Sequence, residues 1–253
     1  VKFDTKTALS LAATVMVEPE LAAWVRLGRR PKLWWRDDDA RSPTAAFDRL
    51  LAVVGNRPLA LAIIPTGDLD LLAATLMNAP HVVIGQHGVD HINRAAQGRK
   101  KSEYREGVSV EEIAAALELG RRRLSAAGLS PEFFTPPWNA GEPDLGDALA
   151  RLQFTRWSAG PTRRSHPALR YAATDIDLLR WTQPPQFRGV WKVMRALQKA
   201  LSRRRSDGDF NRPIGLLTHH LAHDEATWGF LDSFLAYLEP KVEWVSIREI
   251  GSR

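Results

Sequence analysis

Lys32-Leu33-Trp34-Trp35-Arg36-Asp37-Asp38-Asp39-Ala40 changes character half-way along, from apolar and aromatic to three successive carboxylates. The first part, Lys32 to Arg36, reads as a buried strand, and the aspartates fall at its C-terminal end. Seven further short runs rich in β-branched or aromatic residues follow: Leu59 to Ile64, His81 to Gly85, Phe133 to Thr135, Phe154 to Ser158, Tyr171 to Ile176, Ile214 to Thr218 and Val242 to Val245. Helical patterns lie between them, with starts at Ser42-Pro43 before Ala45 to Val54, Ser109 before Val110 to Ala127, and Asp224 before Glu225 to Leu238. This alternation predicts βα units around a parallel sheet, an α/β fold with a single distorted (β/α) barrel of about seven strands.

In a parallel barrel all strand C-termini open on one face, so residues distant in sequence meet there. That gathers Asp37-Asp38-Asp39, His87 with His91, and His219-His220 at one mouth. Crowded carboxylates raise one another's pKa unless a cation intervenes, although an Asx turn or a cap leading into Ser42-Pro43 would also account for the acidic run. His87 and His91 stand at i and i+4, which on one helical turn points both imidazoles the same way, and Gly85 and Gly88 favour a tight strand-to-helix turn there. Two histidines and a carboxylate suit zinc or another divalent first-row ion and leave positions for water and substrate. A spare aspartate could take a proton from water, and a histidine of the 219–220 pair could protonate a leaving amine.

The 253 residues, 44% hydrophobic and 25% charged, exclude a disordered chain and fit one domain over 1–253, since single α/β barrels run to about 250 residues. The chain has no cysteine, which excludes disulfides and removes thiolate from the candidate ligands and nucleophiles. No uninterrupted apolar run approaches the roughly 18 residues of a membrane span, so no span is expected. Thr7 to Val17, after Lys2 and Lys6, has something of a secretory core but is punctuated by Thr and Ser and lacks a small-x-small cleavage site before Glu18-Pro19. A cytoplasmic location is the expectation, with a removed leader left open by the initial Val. The net charge of +6 is spread out, and its two local clusters, Arg121-Arg122-Arg123 and Arg203-Arg204-Arg205, read as solvated helix faces, so nucleic acid is disfavoured as a partner. Asn93 to Ser109 is polar, basic and without period, a long loop or lid. The Pro/Gly-rich patches Thr135 to Pro143 and Ser158 to Pro167 read as βα connections, and no internal repeat marks a domain boundary.

Taken in order, RDDDA at 36–40, QHGVDH at 86–91, TPPWN at 135–139 and LLTHH at 216–220 resemble the NodB-homology polysaccharide deacetylases, carbohydrate esterase family four, over about Leu33 to Leu238. The resemblance implies a NodB-like barrel, a carbohydrate partner, and removal of an acyl group, N-acetyl first, from a sugar or glycan. It implies one divalent ion, zinc with cobalt or nickel as alternatives, held by Asp39, His87 and His91. Asp38 would be the general base and His219 the general acid. Pro136-Pro137-Trp138 would line the cleft, with the backbone N–H of Trp138 helping the metal hold the oxyanion. A slip by one in the aspartate run would move both roles, and Asp37 is an unassigned neighbour.

The sequence departs from that pattern at several positions. The arginine that steadies the catalytic aspartate in the family is Thr135 here, with Arg36 as candidate substitute; Gly88 stands where Ser or Thr usually follows the first metal histidine, and Ala40 where Gly follows the aspartate pair. The Asp-x-x-Asp-Trp motif is missing in its usual form, leaving Asp175, Asp177 and Trp181 as nearest candidates to orient His219 and wall the groove, and His220 stands where an aspartate often does. Of the tryptophans, only Trp138 and Trp181 are assigned to the cleft, and His81, His166 and His223 have no motif role. The reading from another class is a catalytically inactive glycan- or nucleic-acid-binding protein on the same barrel, against which the retained Asp38, Asp39, His87, His91 and His219 speak.

Overall fold

A computed structural model describes residues 4–140, 144–161 and 166–251; parts of both Pro/Gly-rich connections, 141–143 and 162–165, lie outside the described residues. The sheet is built outward from β1 (Lys32–Ala40), which continues through all three aspartates instead of ending before them. On one side it pairs in parallel with β2 (Leu59–Ile63), followed by β3 (Val82–His87), β4 (Phe133–Thr135), β5 (Arg156–Ala159) and β6 (Arg170–Ala173). Further along the chain, β7 (Ile176–Asp177) pairs with β10 (Ile214–Thr218), which flanks the other side of β1. The small hairpin β8 (Leu179–Arg180) and β9 (Gln186–Phe187) stands apart.

One kinked segment therefore closes the barrel. β6 pairs with β5, Thr174 N donates to Ala159 O at 3.0 Å, Asp175 N donates to Gly215 O at 2.8 Å, and β7 continues along β10. Counting that segment once, the barrel has the seven strand positions expected from the sequence. The run Val242 to Val245 is not one of them: β11 (Glu243–Trp244) pairs only with Lys32 and Leu33 at the start of β1.

Side chains alternate across β1, as the pleat requires. Leu33 and Trp35 join the apolar layer beneath the helices, whereas Trp34 enters the barrel with Ala60, Ala62, Val83, Phe133 and Ala172. The interior is narrow enough that a Cβ at Gly85 would collide with the Phe133 ring and one at Gly215 would lie 2.7 Å from the Trp34 indole nitrogen. Large rings thus fit only because their neighbours are glycine and alanine, and burying an indole this completely contributes on the order of 4–6 kcal/mol before entropy. Val245, Ile247 and Ile250 plug the end opposite the mouth.

The helices include α4 (Leu69–Leu76) and α6 (Leu145–Arg151), and three others follow the sequence reading closely. α3 (Ala45–Val54) is capped by Thr44, α5 (Val110–Ala126) starts at a Ser109/Glu112 capping box, and α8 (Glu225–Leu238) is capped by Asp224. The N-terminal segment does not read so easily. α1 (Thr5–Ala12), a π turn (Ala13–Val17) and α2 (Glu18–Arg26) form one helical run, which by length and composition is the one described helix that could cross a membrane. Its Leu9, Ala12, Val17, Leu21 and Trp24 are buried in the apolar layer it shares with α7 (Val190–Ser206) and α8, although Val15 and Val25 stay exposed.

The Arg203-Arg204-Arg205 cluster corrects a sequence expectation. Arg204 is 2% exposed and grips both oxygens of Asp175 at 2.9 and 2.8 Å, while Arg205 pairs with Glu20. Only Arg203 lies on the solvated face, because α7 carries α2 along one side and the kinked closing segment along the other.

Candidate metal centre

The pairing of β1 with β2 shifts register between Asp37 and Ala40, and Asp39 has φ 73°. An irregularity of this kind re-aims a side chain. Without it Asp39 would point outward like Asp37; with it Asp38 and Asp39 both face the mouth. Asp37 instead lies on the helix side, fully buried, where its carboxylate meets Nδ1 of His220 at 2.5 Å and accepts from the Thr218 hydroxyl at 2.5 Å and His220 N at 3.1 Å. Burial works against its ionisation, but the His220 charge and these hydrogen bonds hold its pKa below the ordinary carboxylate value. Asp37 and His220 thus form a buried pair joining β1 to the end of β10, and none of the three aspartates is a cap or an Asx turn.

Asp39, His87 and His91 come together. Asp39 Oδ1 lies 3.2 Å from His87 Nε2 and 3.3 Å from His91 Nε2, and one ligand atom from each residue falls within 4.8 Å of the others. His87 Nδ1 sits 3.0 Å from Thr135 O. A carbonyl can only accept, so Nδ1 carries the proton and Nε2 offers its lone pair toward Asp39. Asp39 Oδ1 is buried and has no hydrogen-bond partner among the described residues. Three electron-pair donors converging on one point fit a divalent cation, and the N₂O set suits zinc.

The electrostatics fit a site shared between a proton and a cation. Burial alone would make His87 less basic, but the Asp38 and Asp39 carboxylates outweigh it and raise its pKa. His91 moves down, through burial, His87 and Arg41. Asp39 is held well below the carboxylate range by the surrounding imidazoles in spite of its burial.

The helical explanation for the histidine spacing is wrong. His87 is the last residue of β3, no helix follows, and His91 has φ 59°. The turn between them is held by Glu103, a residue the sequence reading passed over. Its buried carboxylate accepts from Val89 N at 2.9 Å, Asp90 N at 2.8 Å and His91 N at 2.6 Å.

Asp38 is locked by Arg36 two residues earlier on the same face of β1, through Nε to Oδ1 at 2.9 Å and Nη2 to Oδ2 at 2.9 Å. The guanidinium also donates to Ser158 Oγ at 2.5 Å and Asn139 Oδ1 at 2.7 Å, two more partners absent from the sequence reading. His219 Nε2 stands 3.7 Å from Asp38 Oδ2. Trp181 meets the His219 ring edge-on at 4.5 Å and donates its indole N–H to Asp177 at 2.8 Å. Asp177 therefore reaches His219 only through Trp181, and Asp175, occupied by Arg204, lies outside the site. Trp138 packs 4.5 Å from His91, and Pro137 lies buried against Gly88, where a Cβ would come within 2.6 Å of Pro137 Cγ. His223 is part of the surroundings after all, with Nε2 accepting from His219 N at 3.4 Å.

No family model matches the sequence, and no curated protein matches it significantly. Solved structures do match. A protein of Mycobacterium smegmatis described as a polysaccharide deacetylase shares 16% identity at a TM-score of 0.62, covering 88% of this chain and 89% of its own. The fold is the NodB-like barrel of those deacetylases. A family 4 carbohydrate esterase from Streptomyces lividans, solved with acetate, aligns at a TM-score of 0.52 and 13% identity over 83% of this chain and 89% of its own. A family 4 pseudoenzyme from Bacillus anthracis aligns at 0.56 and 15% over 88% and 65%. At such identities the likeness is one of fold. In this chain the guanidinium against Asp38 belongs to Arg36 on β1, and Thr135 is the last residue of β4.

Proposed function

We propose that this NodB-like chain is a metal-dependent hydrolase that removes an acyl group, N-acetyl first, from a sugar or glycan. The observation carrying this reading is the buried Asp39 oxygen facing two imidazole nitrogens, with Asp38 fixed beside it by Arg36. A divalent ion bound by Asp39, His87 and His91 would supply Lewis acidity toward the acyl carbonyl and the attacking water.

The chain's own groups cover the proton transfers. Asp38, oriented by the guanidinium, accepts a proton from water as the water oxygen bonds to the acyl carbon. The backbone N–H of Trp138 is the candidate donor to the oxyanion. His219 then protonates the leaving nitrogen as the carbon–nitrogen bond breaks, yielding a carboxylic acid and a free amine. Trp181 steadies the His219 ring and presents an exposed indole face to the cleft, a surface suited to the apolar face of a sugar.

Elemental analysis of the purified protein after zinc reconstitution, alongside His87→Ala, tests the reading together with acetate release from N-acetylated sugar oligomers. About one equivalent of metal, lost in the variant with the activity, is the expected result. Wild-type protein that takes up no zinc, cobalt or nickel refutes it and favours the inactive binding protein on the same barrel.

A further inference from the structure

We propose that Glu103 is a positioning residue that sets the ligand geometry of His91 and thereby couples metal affinity to docking of the Asn93–Ser109 loop. The inference rests on the metal centre proposed above. Glu103 comes from the middle of a loop without helix or strand, yet it is only 3% exposed. Its carboxylate receives three consecutive backbone N–H groups, those of Val89, Asp90 and His91, an arrangement that concentrates partial positive charge on one anion.

Those three residues form the turn that carries His91 back toward Asp39. His91 itself is in the left-handed region at φ 59°, a conformation that costs energy for a non-glycine residue and persists only when its surroundings enforce it. The 2.6 Å bond from its own N–H to Glu103 is the nearest enforcing contact, and its imidazole then lies 3.3 Å from Asp39. Gly88 has φ 63°, and a Cβ there would lie 2.7 Å from one Glu103 oxygen and collide with the other. A Ser or Thr at that position would displace the carboxylate, so the glycine and the glutamate belong together.

The same residue fastens the loop. Arg94 N donates to Ser102 O at 2.8 Å, the Arg94 guanidinium grips Asp90 at 2.9 and 2.6 Å, and Lys101, two residues before Glu103, brings its ammonium to 5.9 Å from the Trp138 ring centroid. When the carboxylate leaves the turn, the loop loses its only deeply buried side-chain anchor among its described acidic residues, since Glu106 is exposed. By linkage, a metal ion that favours the His91 geometry must favour the docked loop by the same factor.

Zinc dissociation constants measured by chelator competition for wild type, Glu103→Gln and Glu103→Asp give the first test. The Gln amide keeps one oxygen for the Asp90 and His91 N–H groups but turns its NH2 toward the Val89 N–H and gives up the negative charge, and Asp is one methylene too short. Affinity is expected to fall about tenfold to a hundredfold in both, as for other groups that orient metal ligands, with the urea midpoint of the metal-free proteins changing far less. Unchanged zinc affinity in both variants overturns the proposal, as does a loss no larger than the fall in overall stability explains. Wild-type protein that binds no zinc instead fails the metal centre itself. The second test needs no substitution: trypsin cleavage after Arg99, Lys100, Lys101 or Arg105 in the wild-type protein. It is expected to be about tenfold or more slower with saturating zinc than with chelator, by that linkage; equal rates overturn the coupling.

Discussion

Replacing Arg36 by Met tests the arrangement that distinguishes this barrel. The guanidinium is 0% exposed, the Asp38 carboxylate 2%, and one charge-assisted hydrogen bond, from Nη2 to Oδ2, and a second ion-pair contact, Nε to Oδ1, join them. Met fills similar volume but removes the counter-charge, leaving a carboxylate in the barrel interior and withdrawing the donors to Ser158 and Asn139. Breaking one side of a buried pair costs about 3–5 kcal/mol. Against a usual stability of about 5–15 kcal/mol this is large, and at roughly 2–4 °C per kcal/mol for a chain of this size the melting temperature should fall by about 6–20 °C. Urea denaturation of metal-free protein is the direct assay, with Arg36→Met/Asp38→Asn as the closing corner of the cycle. The double variant should recover at least about 1.5 kcal/mol relative to the sum of the single changes, since it buries no unpaired charge. If Arg36→Met costs less than about 1 kcal/mol, or the two changes add, Asp38 does not depend on Arg36 and the proposed substitution for the missing arginine fails.

Asp38→Asn should keep the metal and lower turnover about a hundredfold to ten-thousandfold, because it deletes the base and no ligand; metal content and acetate release measured on one preparation decide it, and loss of the metal would exchange the roles of Asp38 and Asp39. His223, whose pKa is lowered to about 4 by burial and by the nearby His219 and His220 charges, makes stability depend on pH. Between about 4 and its ordinary 6.5 the unfolded chain binds a proton that the folded chain refuses, so stability rises with pH across that window and is lost as pH falls through it. The full gap is worth about 3 kcal/mol at roughly 1.4 kcal/mol per pH unit. His223→Gln, which keeps an acceptor for His219 N, should flatten the difference between urea midpoints at pH 7 and pH 5; an unchanged slope would assign the dependence elsewhere.

The barrel was legible because its signals are local. Runs such as Leu59 to Ile63 and Ile214 to Thr218 are buried on both faces and stay apolar throughout, and the caps Ser109 and Asp224 act within three residues of themselves. The mouth residues were legible because polar side chains at strand ends in a parallel barrel have one place to go. What escaped depends on contacts with no periodic trace. The bulge that separates Asp38 from Asp39 is a property of the β1–β2 pairing, and the i, i+4 histidines imitate a helix that never forms. Glu103 returns to its turn from 12 to 14 residues away, and Gly88 was the nearest hint, since Glu103 and Glu106 look alike in the sequence of this mainly basic loop. The helical run from Thr5 to Arg26 was hidden by mixed Thr and Ser, which end an apolar run without ending a helix.

The bulge in β1 also bears on how this sequence could change. Three adjacent carboxylates seem to offer redundancy, as if one could be spared. They are in fact wired to three separate circuits: a buried histidine on the helix side, a guanidinium inside the barrel, and the two imidazoles at the mouth. Deleting a single residue here would slide each carboxylate into its neighbour's surroundings and reverse which side of the sheet it meets, so a one-codon loss should be more damaging than any one substitution among the three.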